Sequence, residues 1–449
     1  MKQSWVNFAQ RPVPRYTSYP TAADFAPEVG ESEARAWAGA VAPGAAISVY
    51  AHIPFCDRLC WYCGCATSVP NGYERVAAYM GHLHTEIDLW GDAVGAHGGL
   101  AHLHLGGGSP NALSAGDMKS LVGHICARFN VRPDAEIAME LDPRVLSGAQ
   151  IAAMADAGVN RVSLGVQTLS RKVQGAINRV QPREQVERVI AGLNAAGITR
   201  HNMDLMYGLP HQTISDVEEA AAFAVQHRTS RVSVFGYAHV PWFARHQAAI
   251  DEATLPGLDE RFAQAEAASV ILLDAGYVPI GLDHFARADD SLALAAHAGR
   301  LRRNFQGYTD DPCATLIGLG TSSISQFAEG YVQNAKDRNA WRDAILSGRL
   351  PSERGIALTA DDRLRARAIE RLMCEMEVDV DAICAEMGAE PGSLDDGLET
   401  AGFLSAAGLC ILDGKTLRVP TSARIMLRTV AQCFDGRSKP APRRHAGAV

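Results

Sequence analysis

From Ala46 onward, short apolar runs of strand character alternate with longer stretches of helical period. ISVYAHI is followed by a helical pattern over Tyr73 to Leu89, AHLHL by one over Ala115 to Phe129, and EIAMEL by one over Gly148 to Ala157. RVSLGV, HNMDLMY and RVSVFGY continue the series, with helices near Arg183 to Ala196 and Ser215 to His227. This alternation predicts an α/β fold, a parallel sheet with helices packed outside it. Six units by Tyr237 suit a full or partial (β/α) barrel, whose ligands sit at the carboxyl ends of the strands. Polar and glycine-rich residues gather at those ends: Cys56 after the first run, Gly106-Gly107-Gly108 after the second, Glu140 and Asp142 at the third, Gln167 after the fourth.

The pattern changes at both ends. Residues 1–45, rich in Pro, Ala and charge without sustained periodicity, predict an irregular N-terminal arm ahead of a barrel domain over 46–355. Past Arg354, LTADDRLRARAIERLMCEME places Thr359 as an N-cap ahead of a stripe through Leu364, Ile369 and Met373. Shorter helices near Asp381 and Ser393, a hairpin turning at Asp413-Gly414 and a last helix over about Thr421 to Cys433 follow. Together they predict a small helical, winged-helix-like domain over 356–435, with a disordered Pro-rich, basic tail over 436–449.

Composition narrows the function classes. With 47% hydrophobic and 20% charged residues in a chain of 449, a soluble enzyme with a sizeable core is expected. No stretch approaches the ~18 apolar residues of a membrane span. The start MKQSWVNFAQRPVPRY lacks a basic segment followed by an apolar run, so a cytoplasmic protein without a membrane partner is expected. The net charge of −8 argues against general nucleic-acid binding, and an anionic substrate must then be met by local arginines. Ten cysteines are too few for a disulfide scaffold, yet four of them fall between Cys56 and Cys65.

In HIPFCDRLCWYCGC, three residues separate Cys56 from Cys60 and two separate Cys60 from Cys63, so one loop can wrap three thiolates around a compact site. Three soft ligands suit iron–sulfur or zinc. Three thiolates on a four-iron cubane leave one iron open for chemistry, whereas an electron-transfer cluster uses four cysteines. A zinc site drawing on Cys65 as well is the alternative, although no second CxxC pair supplies the usual distant ligands.

Coupled to the glycine-rich strand end HLGGGSP, the CxxxCxxC spacing resembles the radical S-adenosylmethionine superfamily. Within it, VYAHIPFC, CGC, LHLGGGSP, MELDPR, RVSLGVQ, NRVQ, MDLMYGLP, FGYAHVP, GLDHFAR, RNFQGYT, GLGTSSIS and RGIALTADD resemble the oxygen-independent coproporphyrinogen III oxidases, from RYTSYPTA to the last helix. The resemblance implies a [4Fe-4S] cluster on Cys56, Cys60 and Cys63 and two molecules of S-adenosylmethionine. It places Tyr50, Gly107, Glu140 and Ile324 at the first cofactor molecule. Tyr62, Gly108, Ser109, Gln167, Arg179, Asp204 and Ala238 fall at the second, and Cys65 takes a catalytic role. Thr168 and Gly236 depart from the family pattern, leaving details of the second site open.

The implied reaction converts two propionates of coproporphyrinogen III to vinyl groups, giving protoporphyrinogen IX through a 5′-deoxyadenosyl radical. A reductant for the cluster, an electron acceptor and a monomeric state are expected. Arg287, His284, Arg302 and Arg303 are candidates for the substrate carboxylates, and in the arm Arg15, Tyr16 and Tyr19 for substrate contact. A heme chaperone on the same barrel is the second reading, although Gly64-Cys65 and RYTSYPT favour the enzyme. Another radical activity such as methyl transfer is the third.

Overall fold

The apolar runs become six strands: β1 (Ile47–Ile53), β2 (Leu100–Gly107), β3 (Val131–Leu141), β4 (Arg161–Gln167), β5 (Arg200–Tyr207) and β6 (Arg231–Gly236). In the computed structural model, which describes residues 3–438, they lie side by side in chain order and pair in parallel throughout. Helices Glu74–Val94, Ala115–Arg128, Gly148–Asp156, Arg183–Ala195 and Ile214–Gln226 return the chain between strands. Three of these helices begin where the sequence offers a side-chain acceptor, Ser114, Ser147 and Thr213 each taking an N–H of the first turn. Leu83, Ile87 and Trp90 of the first helix pack fully buried into the core with Val49 and Ile53 of β1.

The sheet grows past these six strands at both edges. Thr315–Leu319 pairs in parallel with β1, setting Gly318 opposite Tyr50, and an antiparallel meander of Ile324–Gln326, Gly330–Asn334 and Ser352–Ala357 extends that side. Beyond β6 lie His284–Arg287 and then Tyr277–Ile280, both antiparallel to their neighbours. The result is a twelve-stranded sheet with two distinct edge strands, a partial barrel as the βα alternation predicts. Among the described residues no helix is long and apolar enough to cross a membrane.

Toward the C-terminus, Thr359 caps Ala360–Glu375 as its sequence predicts, and Val380–Met387 and Asp395–Ala406 follow. The Asp413-Gly414 hairpin joins Glu377–Asp379 in a three-stranded sheet, which supplies the wing. The last helix is broken: Leu427–Ala431 alone is α-helical, flanked by 3₁₀ turns Thr421–Met426 and Gln432–Phe434.

The arm is more ordered than its composition predicts. Glu31–Gly39 is a helix, because the Glu33 carboxylate accepts the Gly30 N–H and Ala34 and Ala38 are buried in the main core. Trp5, Ala9, Val13, Tyr16 and Tyr19 fill a second apolar core together with Leu364, Ile369 and Met373. Most of the tail predicted disordered over 436–449 lies outside the described residues. Its first residues are fixed, since Arg437 pairs with the buried Asp362 at 2.6 Å.

Candidate active site at the strand ends

The cysteine loop leaves β1 and is pinned on every side by polar contacts. Cys56 N–H donates to Ser68 O at 3.0 Å, Trp61 N–H to Ile177 O at 3.0 Å, Asn178 Nδ2 to Leu59 O at 2.8 Å and Gln247 Nε2 to Tyr62 O at 2.9 Å. His246 Nε2 bonds Cys63 O at 2.6 Å. The thiols face cations and hydroxyls. Arg144 Nη2 and Arg179 Nη1 each donate to Cys60 Sγ at 3.4 Å, and Cys56 Sγ lies 3.1 Å from Thr67 Oγ1.

Cys65 is exposed and donates its N–H to Cys63 Sγ at 3.4 Å. Its thiol, with His246 and Arg179, draws the Cys63 thiol down to about 6 against the pull of burial. Burial pushes Cys56 up to about 11, with Cys63 and Cys60 adding to the rise and Thr67 opposing it. Among the described residues no three His, Cys, Asp or Glu side chains are spaced to hold a single metal ion. Three soft thiol ligands on one loop are a donor set that fits a four-iron cluster, each thiolate serving its own iron.

The glycines of β2 make room for this loop and its neighbours. A Cβ on Gly106 would meet the Glu140 carboxylate at 2.7 Å, one on Gly107 the His52 ring at 2.4 Å, and one on Gly108 the Phe55 carbonyl at 2.4 Å. Gly107, at φ +108°, donates its N–H to Glu140 at 3.2 Å, and His104 Nε2 lies 3.0 Å from the same carboxylate. Burial raises the Glu140 carboxyl, but His104, Gly107 and His52 together hold it below the ordinary carboxylate range. Gly108 and Ser109 donate their N–H groups to Ile53 O and Phe55 O at 2.8 and 2.7 Å, so this turn is stitched to the loop. Tyr50 completes the group, its hydroxyl 3.1 Å from His52 Nδ1.

Arg179 is buried and donates to both Asp142 oxygens at 3.3 Å, and its Nε has no partner. Gln167, at φ +66°, is buried with its Oε1 likewise unpartnered. Asp204 accepts from Ser163 at 2.7 Å and Asn202 at 3.0 Å, and burial with the Glu140 charge holds it above the ordinary range. Tyr62 packs beside Trp61 and Tyr237. Ile324 stands apart from this constellation, packing on Phe25, Tyr331 and Ile356, with only its backbone close to Gly318. Thr168 is fully buried and takes the Ser170 N–H at 3.3 Å. A Cβ on Gly236 would meet Tyr207 Oη at 2.8 Å, so a larger side chain there displaces the phenol.

A chamber of about 980 Å³ opens at the ends of β5 and β6, walled by Tyr207, Gly236, Tyr237 and Ala238 among others. His284 and Arg303 line it, as does Arg15. The two other carboxylate candidates lie elsewhere. Arg287 pairs with Asp289 at 3.1 Å beside Ser230, at the amino end of β6, because its antiparallel strand runs away from the site. Arg302 turns to Glu370 at 2.8 Å. Tyr16 and Tyr19 are committed to the second apolar core, and the Tyr16 hydroxyl donates to Asp435 at 2.8 Å. Asp142, placed at the end of the third strand by the sequence but given no role there, pairs at 2.6 Å with Arg144 beside Cys60, and Arg144 is the site residue that sequence reasoning passed over, although Asp-Pro-Arg directly follows β3. Nothing in the sequence marks His246 or Gln247 as supports of the cysteine loop.

Residues 50–224 match the Radical SAM superfamily. The chain is 43% identical over 99% of both chains to an oxygen-independent coproporphyrinogen III oxidase of Bradyrhizobium diazoefficiens. It is 42% identical over 94% of both chains to one of Paracoccus denitrificans. Among solved structures it resembles coproporphyrinogen III oxidase (HemN) from Escherichia coli, described as a radical SAM enzyme. That match has a TM-score of 0.89 at 33% identity and covers 95% of this chain and 100% of the other.

Proposed function

This chain belongs to the family of oxygen-independent coproporphyrinogen III oxidases within the radical S-adenosylmethionine superfamily, and from that premise we propose how its residues divide the work. The enzyme oxidatively decarboxylates two propionates of coproporphyrinogen III to vinyl groups, a step of heme biosynthesis, using a [4Fe-4S] cluster and S-adenosylmethionine. One observation carries the assignment to this site. Three thiols, one of them bonded by two guanidiniums, stand at the strand ends, and Tyr237 joins the Trp61-Tyr62 side of their loop to the cationic chamber.

Cys56, Cys60 and Cys63 hold the cluster, and together with S-adenosylmethionine it supplies one-electron chemistry strong enough to abstract a hydrogen atom from an unactivated carbon. Arg144 and Arg179 offset the thiolate charge at Cys60. Tyr50, Gly107 and Glu140 form the first S-adenosylmethionine site, where the ionised Glu140 receives an ammonium group, and Ile324 contributes to it only through its backbone beside Gly318, its side chain packing on Phe25, Tyr331 and Ile356. Tyr62, Gly108, Ser109, Gln167, Arg179, Asp204 and Ala238 form the second, and the unpartnered Gln167 Oε1 and Arg179 Nε support it as buried groups that a ligand would satisfy. Cys65, exposed beside Cys63, takes a catalytic part. The protein's contribution is to place the reacting carbon against the cofactor and to exclude water. We place the enzyme in the cytoplasm as a monomer, drawing electrons from a reductant and passing them to an acceptor.

The test is an anaerobic assay of reconstituted protein with coproporphyrinogen III, following the tricarboxylic intermediate and protoporphyrinogen IX. Both should appear in sequence. Cofactor cleavage without any loss of carbon dioxide would overturn the reading.

A further inference from the structure

Five guanidiniums line the chamber, those of Arg15, Arg261, Arg303, Arg424 and Arg428. Arg424 is spent on the fold: it donates to the carbonyls of Gly281, Ile280 and His284 and lies 4.6 Å over the Phe285 ring. The others are placed differently. Arg303 donates through Nε to Tyr16 O at 3.0 Å and through Nη2 to Arg15 O at 3.2 Å, above the Tyr308 ring at 4.3 Å. Among the described residues its buried Nη1 has no hydrogen-bond partner. Arg428 donates Nη1 to Val13 O at 3.3 Å. Both side chains therefore clamp one stretch of the arm, residues 13–16, and bring the Arg15 side chain to the same wall.

One acid faces this wall: against the effect of burial, His284 with the Arg303 and Arg15 charges pulls the Asp283 carboxyl down to about 2. Among the described residues neither Arg15 nor Arg303 forms an ion pair with a carboxylate. Asp283 is already bonded to His284 at 2.8 Å, so one carboxylate is shared between that ring and the guanidiniums of the wall, while Asp259 and Glu266 lie on helix Leu258–Asp274, which also carries Arg261. Burial, with the Arg15 and Arg303 charges added to it, pushes the Arg428 guanidinium down to about 10. On the facing side Arg261 donates Nη2 to Tyr237 O at 2.7 Å, and its buried Nε has no partner. Like charges gathered around unsatisfied buried donors are unfavourable until an anion completes them, and a carboxylate accepts from a guanidinium in a charge-assisted bond.

We propose that Arg15, Arg303 and Arg428 form an anchor for one carboxylate of the substrate, at the seam of the arm, the 302–309 hairpin and the C-terminal helix, and that Arg261 receives a second. This rests on the oxidase reading and gives the arm a part in recognition through its guanidinium and backbone, while its tyrosines hold the fold.

Fluorescence titration of the anaerobic holoenzyme tests it, with coproporphyrin III and its tetramethyl ester as probes in one detergent-containing buffer. The tetracarboxylate should bind at least about tenfold more tightly than the ester, the scale of one charge-assisted contact, and added salt should narrow the gap. Arg303→Gln should weaken the acid about tenfold, Arg303→Lys should recover part of the loss, and Arg287→Gln, outside the chamber, should bind like wild type. Arg15→Gln guards against misfolding, because the side chain is exposed and the backbone carbonyl that Arg303 uses remains. It should raise KM for coproporphyrinogen III more than it lowers kcat.

Arg15→Gln and Arg303→Gln proteins that bind the acid as wild type does, or that lose S-adenosylmethionine affinity instead, would overturn the anchor alone. A wild-type protein that binds neither probe would overturn the oxidase reading with it.

Discussion

Cys65 stands two residues past the last of the three clustered thiols, and its N–H is aimed back at Cys63 Sγ. A serine there keeps that N–H and loses only the second thiol. Cys65→Ser should therefore retain iron at the wild-type stoichiometry and lose much of its turnover, whereas Cys56→Ser, Cys60→Ser or Cys63→Ser should fail to load the cluster. Iron content and the visible absorption of anaerobically reconstituted protein separate the two outcomes. Glu140 and Arg179 divide in the same manner. Glu140→Gln loses the charge that His104 and Gly107 hold, and should weaken S-adenosylmethionine binding by roughly tenfold or more and suppress its cleavage. Arg179→Lys cannot reproduce the fork that spans Asp142 and Cys60, and should impair product formation more than cleavage. Calorimetry showing one binding site and identical losses in both variants would refute this division.

At the scale of elements, helix Glu74–Val94 is tied to the far side of the sheet by Glu86, which is fully buried. Its carboxylate accepts from Gly320 N–H at 2.7 Å, Asn334 Nδ2 at 2.6 Å and Trp341 Nε1 at 3.1 Å. Burial nonetheless pushes the Glu86 carboxyl up to about 8. An acid whose folded value is raised contributes stability that is whole below its unfolded value and disappears as pH climbs through the folded one. The melting temperature should thus decline between about pH 5 and 8, by the equivalent of a few kcal/mol at most, and the decline should flatten in Glu86→Gln.

The βα repeat was legible because strands that alternate apolar with polar residues, such as AHLHL and RVSLGV, recur between longer stretches of helical period, and three of the five return helices begin at a Ser or Thr cap. The antiparallel strands at the sheet edges were not, since runs of three to six residues such as Ile324–Gln326 are too short to display a period. The helix Glu31–Gly39 was hidden for a related reason, its two buried positions being alanines within a charged stretch. The thiols, the glycines and Glu140 could be read from motif and position. Arg424 and Arg428 could not, because only folding carries a C-terminal helix over to the mouth of β6.

For the molecule as a whole, the segment Trp5–Tyr19 is a structural part of the C-terminal core. Trp5 is buried there and donates Nε1 to Ala407 O at 3.0 Å. Trp5→Ala should cost about 3–5 kcal/mol of stability, the usual loss for a large buried aromatic, and removal of residues 1–22 should unsettle the C-terminal helices before it touches the cluster. Differential scanning calorimetry with iron analysis would show this as an earlier transition in a protein still loaded with iron.

The meeting of Tyr16 with Asp435 also sets an order of events during synthesis. The aromatic residues of the arm find their burial site only after some 400 more have been added, roughly 20 to 80 s later at ordinary elongation rates. Until then Trp5, Tyr16 and Tyr19 are exposed on a nascent chain whose barrel strands are already pairing. An N-terminal fusion that slows their capture should therefore lower the yield of native enzyme more than the same fusion placed after residue 449.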